Sequence, residues 1–206
     1  MIRSDSVKFI FAVPRKVIDS FKRHPFLPVL ILSLCFMPLA HIMTASDAGH
    51  YLRVARDFLD GKGYHSSRIH SFFIAIAFWF GGISISSAYW VNRVFWLLNL
   101  VVVYLLGREL FNSRRVGALA AVLLLSSYVF NYWAFRMSLG IDIPFALFCN
   151  LFLLVAIAAI KHNRMILFIF AGAAMSLAFM VSAELPSFPP TRSFIWQPID
   201  HLPLSE

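Results

Sequence analysis

The chain has 206 residues, of which 60% are hydrophobic and only 14% charged, with a mean hydropathy of +0.75 and a formal charge of +8. A water-soluble domain of this size does not need so much apolar surface, and here it comes in long runs, so the composition defines an all-α polytopic membrane protein and excludes an ordinary soluble enzyme. The positive balance reads as loop charge that fixes topology; no basic segment resembles a base-reading helix, so nucleic acid is excluded as a partner.

Residues 1–25 carry Arg3, Lys8, Arg15, Lys16, Lys22 and Arg23 against only Asp5 and Asp19. Such a segment stays on the cytoplasmic face of a bilayer. The apolar run Phe26 to Met43 is 18 residues long, close to the roughly 20 that cross about 30 Å of hydrocarbon. Its length, Pro28 and Pro38, and the lack of a small-x-small cleavage site favour an uncleaved anchor over a signal peptide. On its far side comes a short amphipathic helix. Ser46 or Asp47 can cap its start, Gly61 and Gly63 its end. Tyr51, Leu52, Val54, Ala55, Phe58 and Leu59 fall on one face, with Arg53, Arg56, Asp57 and Asp60 on the other.

Phe72 to Phe80 with Gly81 and Gly82 makes a run of only about a dozen residues, roughly 18 Å as a helix, which suits a re-entrant or interfacial piece. Later spans are expected near 87–107, 116–135, 142–160 and 165–182. With the short run not crossing, segments 1–25, 107–115 and 161–164 share the cytoplasmic side and hold eleven Lys/Arg. A crossing would put the last two outside and break the charge rule. The expected architecture is therefore about five transmembrane helices, two juxtamembrane helices in an exterior loop over 44–86, and a second exterior loop around Arg136–Gly140. Five prolines between Pro186 and Pro203 exclude a further span, so 183–206 is read as a disordered Pro-rich tail.

Arg93, near the outer end of the second span, and Asp142, at the start of the fourth, are charges at membrane depth, where cost confines them to cavities or interfaces. Each also has a plain explanation. Arg93 can snorkel to the interface, and Asp142, followed by Pro144, suits a helix N-terminus and its dipole. Asp47 is likewise explained by capping alone, and Arg53 and Arg56 by a solvated face or by lipid headgroups. His65 and His70 have ordinary loop explanations. Cys35 and Cys149 lie inside apolar runs, and no cluster has metal-ligand spacing.

Taken together, Asp47, Tyr51, Ala55, Leu59, Gly61, Gly63 and Tyr64, the run ending Phe80-Gly81, Arg93, the segment Tyr104–Phe111, Arg136 with Asp142-Ile-Pro144, and Leu177-Ala-Phe179 resemble the GT-C superfamily of integral-membrane glycosyltransferases. The likeness is to the branch of protein O-mannosyltransferases and lipid A aminoarabinose transferases, and it covers about residues 26–182. The resemblance implies a donor sugar on a polyprenyl-phosphate carrier, a lipid, glycan or protein acceptor on the exterior face, and an inner-membrane location in a bacterium. It requires no cofactor, though a divalent metal is compatible with it. It implies Asp47 as catalytic base and Asp142 as a second catalytic carboxylate, with Arg56, His70, Arg93 and Arg136 holding the carrier phosphate. Relatives have about twice as many spans, so the chain is read as their N-terminal part, its activity alone in doubt. A non-enzymatic transporter or accessory subunit, with Asp142 and Arg93 as pathway charges, stands as the alternative.

Overall fold

The computed structural model describes residues 20, 23–36, 48–62, 69–135 and 141–182. Among them every regular element is a helix: α1 Leu27–Phe36, α2 Ala48–Leu59, α3 Ile69–Gly81, α4 Ile85–Phe111, α5 Arg114–Ser126, α6 Tyr128–Phe135, α7 Asp142–Lys161 and α8 Met165–Ser182. Of these, α4, α7 and α8 are long and apolar enough to cross a membrane. Their outward faces are greasy, with Ile160, Met165, Ile169 and Phe179 each at least 70% exposed, as expected of side chains whose solvent is lipid.

Short polar signals delimit the helices. In α2 the chain stops at Gly61, whose φ of +66° is left-handed. There the Gly61 N–H donates to the Phe58 carbonyl and the Lys62 N–H to the Asp57 carbonyl, the paired bonds of a Schellman cap. Asn112 (φ 51°) ends α4, and the next residue, Ser113, starts α5 by accepting from the Val116 N–H. Asn163 (φ 50°) turns α7 into α8 in the same way. Ser84 caps α4, and Ser87 donates to the Gly81 carbonyl at 3.0 Å, closing the bend from α3.

The span expected over 116–135 is two helices broken at Ser127. A break inside an apolar region exposes carbonyls that water does not reach, so each needs a partner. Ser126 Oγ donates to the Leu123 carbonyl, the Ser127 N–H to Leu124, and the Asn131 amide to Leu125, while Ser127 Oγ accepts from the Phe130 N–H. Asn131 also accepts from the Trp96 indole at 3.1 Å, which ties the break to α4. The first apolar run is described only over Leu27–Phe36, ten residues.

Helix α4 is the hub, packed against α3, α5, α6 and α7. Its crossing with α5 is close because Gly107 faces Gly117; a Cβ added at Gly117 would lie 2.4 Å from the Tyr104 carbonyl oxygen. One buried cluster unites Tyr51 and Ala55 of α2, Ile74 and Phe78 of α3, Tyr89, Phe95 and Trp96 of α4, Leu147 of α7 and Val181 of α8. The expected greasy face of α2 is narrower than the sequence suggests. Tyr51 and Ala55 are buried, while Phe58 and Leu59 stay exposed, Phe58 meeting Phe72 edge-on at 5.6 Å.

Three segments meet at one end of the bundle. Glu109 at the foot of α4 takes Lys161 at 3.2 Å and His162 at 3.0 Å from the α7–α8 turn. Arg114 at the start of α5 donates to the Arg23 carbonyl at 3.5 Å. The basic residues of 23–24, 108–115 and 161–164 thus gather on one side. Helix α3 sits toward the other end: Gly81 is bonded to Ser87, and Phe73 meets Phe95 and Phe148. It therefore runs antiparallel to the first half of α4.

Candidate active site

Asp142, Arg93, His70 and Arg56 are the candidate residues that lie within the described segments. Asp142 is the first residue of α7, exposed, in a first turn whose Pro144 needs no N–H partner. Its place is set by a buried amide link. Asn99, fully buried on α4, donates to the Ile143 carbonyl at 3.1 Å and accepts from the Asn150 amide at 2.9 Å. The start of α7 is thus held beside the middle of α4.

At 1.5 Å per residue Arg93 lies about 9 Å from Asn99 along α4, toward the end at which α7 begins. Its guanidinium lies over the Trp90 ring, 5.1 Å from the centroid, a cation–π contact that suits an arginine at an interface. His70 opens α3 one turn before Phe73, whose ring is 5.0 Å from that of Phe95. The His70 ring is fully buried and meets Tyr51 of α2 edge-on at 5.3 Å. Asp142 and Arg93 thus lie on the half of α4 away from the basic cluster, while His70, one turn beyond the Phe73–Phe95 contact, lies nearer the middle of α4. Among the described residues no ion pair joins Asp142 to Arg93.

Arg56 lies apart from these charges in its contacts. Its Nε is 4.0 Å from Asp60, one turn on, and its side chain is 56% exposed. Lys62 also bonds Asp60, at 2.9 Å. The Lys62 hydrogen bond draws the Asp60 carboxyl below its ordinary value, and the same bond holds the Lys62 ammonium above its own. Both groups are solvent-exposed, so the pair is a surface feature of small energetic weight. Asp47 and Arg136 lie outside the described residues. Among the described residues, no three His, Cys, Asp or Glu side chains come together as a metal-binding group.

A search for charges alone misses Asn99, Asn131 and Asn150, which do the positioning here. The available signal is an amide inside an apolar run, where it must find a partner and therefore marks a helix–helix contact.

An all-helical assembly with three membrane-length helices, its charges segregated to the two ends, defines an integral membrane protein. The chain belongs to the dolichyl-phosphate-mannose-protein mannosyltransferase family, whose model matches residues 66–191, and so to the membrane glycosyltransferases of the GT-C type. The match includes His70, Arg93, Arg136 and Asp142, starts after Asp47 and Arg56, and runs nine residues into the segment read as tail. No curated protein and no solved structure matches the chain.

Proposed function

We propose that the chain transfers a sugar from a polyprenyl-phosphate carrier to an acceptor on the exterior face of a membrane, or forms the part of such an enzyme that holds the donor. The observation that supports this reading is a family match that spans Arg93 and Asp142, with Asn99 of α4 bonded to the backbone carbonyl of Ile143, the residue after Asp142. In the reaction the acceptor oxygen attacks the anomeric carbon as its bond to phosphate oxygen breaks. The phosphate departs with the electron pair, and a carboxylate takes the acceptor proton. Asp47 is the proposed base and Asp142 the carboxylate that orients the acceptor. Arg93 and Arg136 stabilise the charge growing on the departing phosphate, with His70 and Arg56 at the margin. The donor in the family's description is a lipid-linked mannose, and we extend only the class, a sugar on a polyprenyl phosphate.

The topology we propose has about five spans. The first starts at α1, the third is the broken pair α5–α6, and α2 and α3 lie in the exterior loop. The basic end, with Arg23, Arg108, Arg114, Arg115, Lys161 and Arg164, faces the cytoplasm by the positive-inside rule, in a bacterial inner membrane. The gathering of these residues at one end supports that orientation. Membranes containing the chain, given a radiolabelled polyprenyl-phosphate sugar, test the activity. Transfer should occur and should fall in Asp47→Asn and Asp142→Asn; undiminished transfer in both variants would remove the assignment.

A further inference from the structure

A second polar constellation stands at the opposite end of the molecule from Asp142. An open groove of about 520 Å³ lies between the start of α1 and the α4–α5 turn, and Arg23, His24, Arg108 and Arg114 line it. Among the described residues no carboxylate lines it. Among the described residues none of the three arginines is in an ion pair, since the neighbouring carboxylate, Glu109, is taken by Lys161 and His162. Three guanidiniums around one cavity, with no carboxylate among the described residues of its wall, form a site for an anion. Helix α5 begins at Arg114, and its dipole adds to the same field.

The other wall of the groove is apolar. Phe26 stacks on Tyr104 with ring centroids 4.4 Å apart. Leu27 and Leu30 complete that wall, and beyond the groove Ile31 and Leu34, at 47% and 49% exposure, continue from Leu27 along one face of α1 at helical spacing. A site for a free inorganic anion gains nothing from such a strip, whereas a ligand with a phosphate head and a hydrocarbon tail uses both walls. We propose that this groove binds the phosphodiester headgroup of an anionic glycerophospholipid, with its acyl chain laid along Leu27, Ile31 and Leu34 of α1.

Native mass spectrometry of the purified full chain, with graded phosphatidylglycerol or phosphatidylcholine, reads the occupancy, and thermal unfolding in the same lipids reads the consequence. One retained phosphatidylglycerol per chain and a lipid-dependent rise in Tm are expected, with neither for phosphatidylcholine. Replacing Arg23, Arg108 and Arg114 together by Gln should weaken phosphatidylglycerol binding about 100-fold, given the usual contribution of each basic side chain near anionic lipid. The corresponding Lys variant, which keeps the charges, should retain most of it. Equal retention of the two lipids by the wild type, or unchanged phosphatidylglycerol binding in the Gln variant, would overturn the proposal. Equal stabilisation by inorganic phosphate in lipid-free detergent would overturn the lipid assignment in favour of a free anion. If the Gln variant does not fold, the wild-type lipid comparison and the Lys variant decide the matter. Sugar transfer is not among the readouts, so failure here leaves the proposed activity standing, and failure of that activity leaves the groove standing.

Discussion

Two regions of the bundle treat charge in different ways. At the basic end Glu109 is bound by Lys161 and His162, and Arg114 reaches the Arg23 carbonyl, so side chains join helices that are distant in sequence. Midway along the bundle the joining is done by neutral amides. Asn99 holds Ile143 and Asn150, Trp96 holds Asn131, and among the described residues no ion pair includes Arg93 or Asp142. A charge already neutralised by a neighbour has little to offer a substrate. In the proposed site Asp142 and Arg93 meet the acceptor and the sugar phosphate, while other groups do the structural work.

The largest expected effect on this contrast comes from the carboxylates. Asp142→Asn and Asp47→Asn should each lower transfer by about 100-fold or more if they handle the acceptor as proposed, while Tm changes little, since Asp142 carries no ion pair among the described residues. A comparable fall in Tm would instead make Asp142 a structural residue, like Glu109. Next is Arg93→Gln, expected to cost roughly 10- to 100-fold in transfer with the donor affinity most affected; isotherms with a polyprenyl-phosphate donor check it.

Structural substitutions sharpen the comparison from the other side. Gly117→Leu puts side-chain atoms where the Tyr104 carbonyl already stands and should destabilise by about 1–3 kcal/mol, read as a lower Tm of the purified protein. A double-mutant cycle of Asn99→Leu and Asn150→Leu should give a coupling of about 0.6 kcal/mol, with an upper range near 1.7, as for other amide bonds between membrane helices. Asn99→Leu alone should also lower transfer, because it loosens the start of α7 beneath Asp142. Transfer unaffected by this change would sever the link between the amide pair and the site.

The smallest effect belongs to Asp60 and Lys62. The depressed carboxyl contributes above its ordinary value of 3.8 and loses that contribution as pH falls through its lower folded value. The raised ammonium contributes below its ordinary 10.5 and loses that as pH rises through its higher folded value. Both contributions are therefore intact across the neutral range. Circular dichroism of the Lys62→Ala variant should match the wild type there, with no measurable change in Tm.

Much of this architecture was legible in the sequence. Gly61 ends α2 where the cap signal put it, the spans expected at 142–160 and 165–182 match α7 and α8 closely, and the basic segments do meet at one end. The features that escaped depend on contacts between residues far apart. The Ser127 break was hidden because Ser126 and Ser127 sit inside an unbroken apolar run, and the groups that satisfy its carbonyls are defined only once Asn131 reaches both Leu125 and Trp96. The level at which α7 starts against α4 depends on which residue Asn99 meets, which no local pattern encodes. Of the candidate site, residue types pointed to Arg93 and Asp142, but no spacing could reveal that an amide bond sets the level of one against the other. The burial of His70 against Tyr51 likewise arises from the meeting of α2 and α3.

Photo-crosslinking addresses the central claim most directly, that the two ends serve different ligands and that the sugar phosphate goes to the Asp142 end. A polyprenyl-phosphate sugar carrying a photoreactive group next to its phosphate would be irradiated with the full chain in lipid, and the labelled peptides sequenced. Labelling of the α4 segment around Arg93 and of the α7 segment around Asp142, reduced by Arg93→Gln, is the predicted result. Labelling confined to the peptides of Arg108 and Arg114, with none near Asp142, would contradict it.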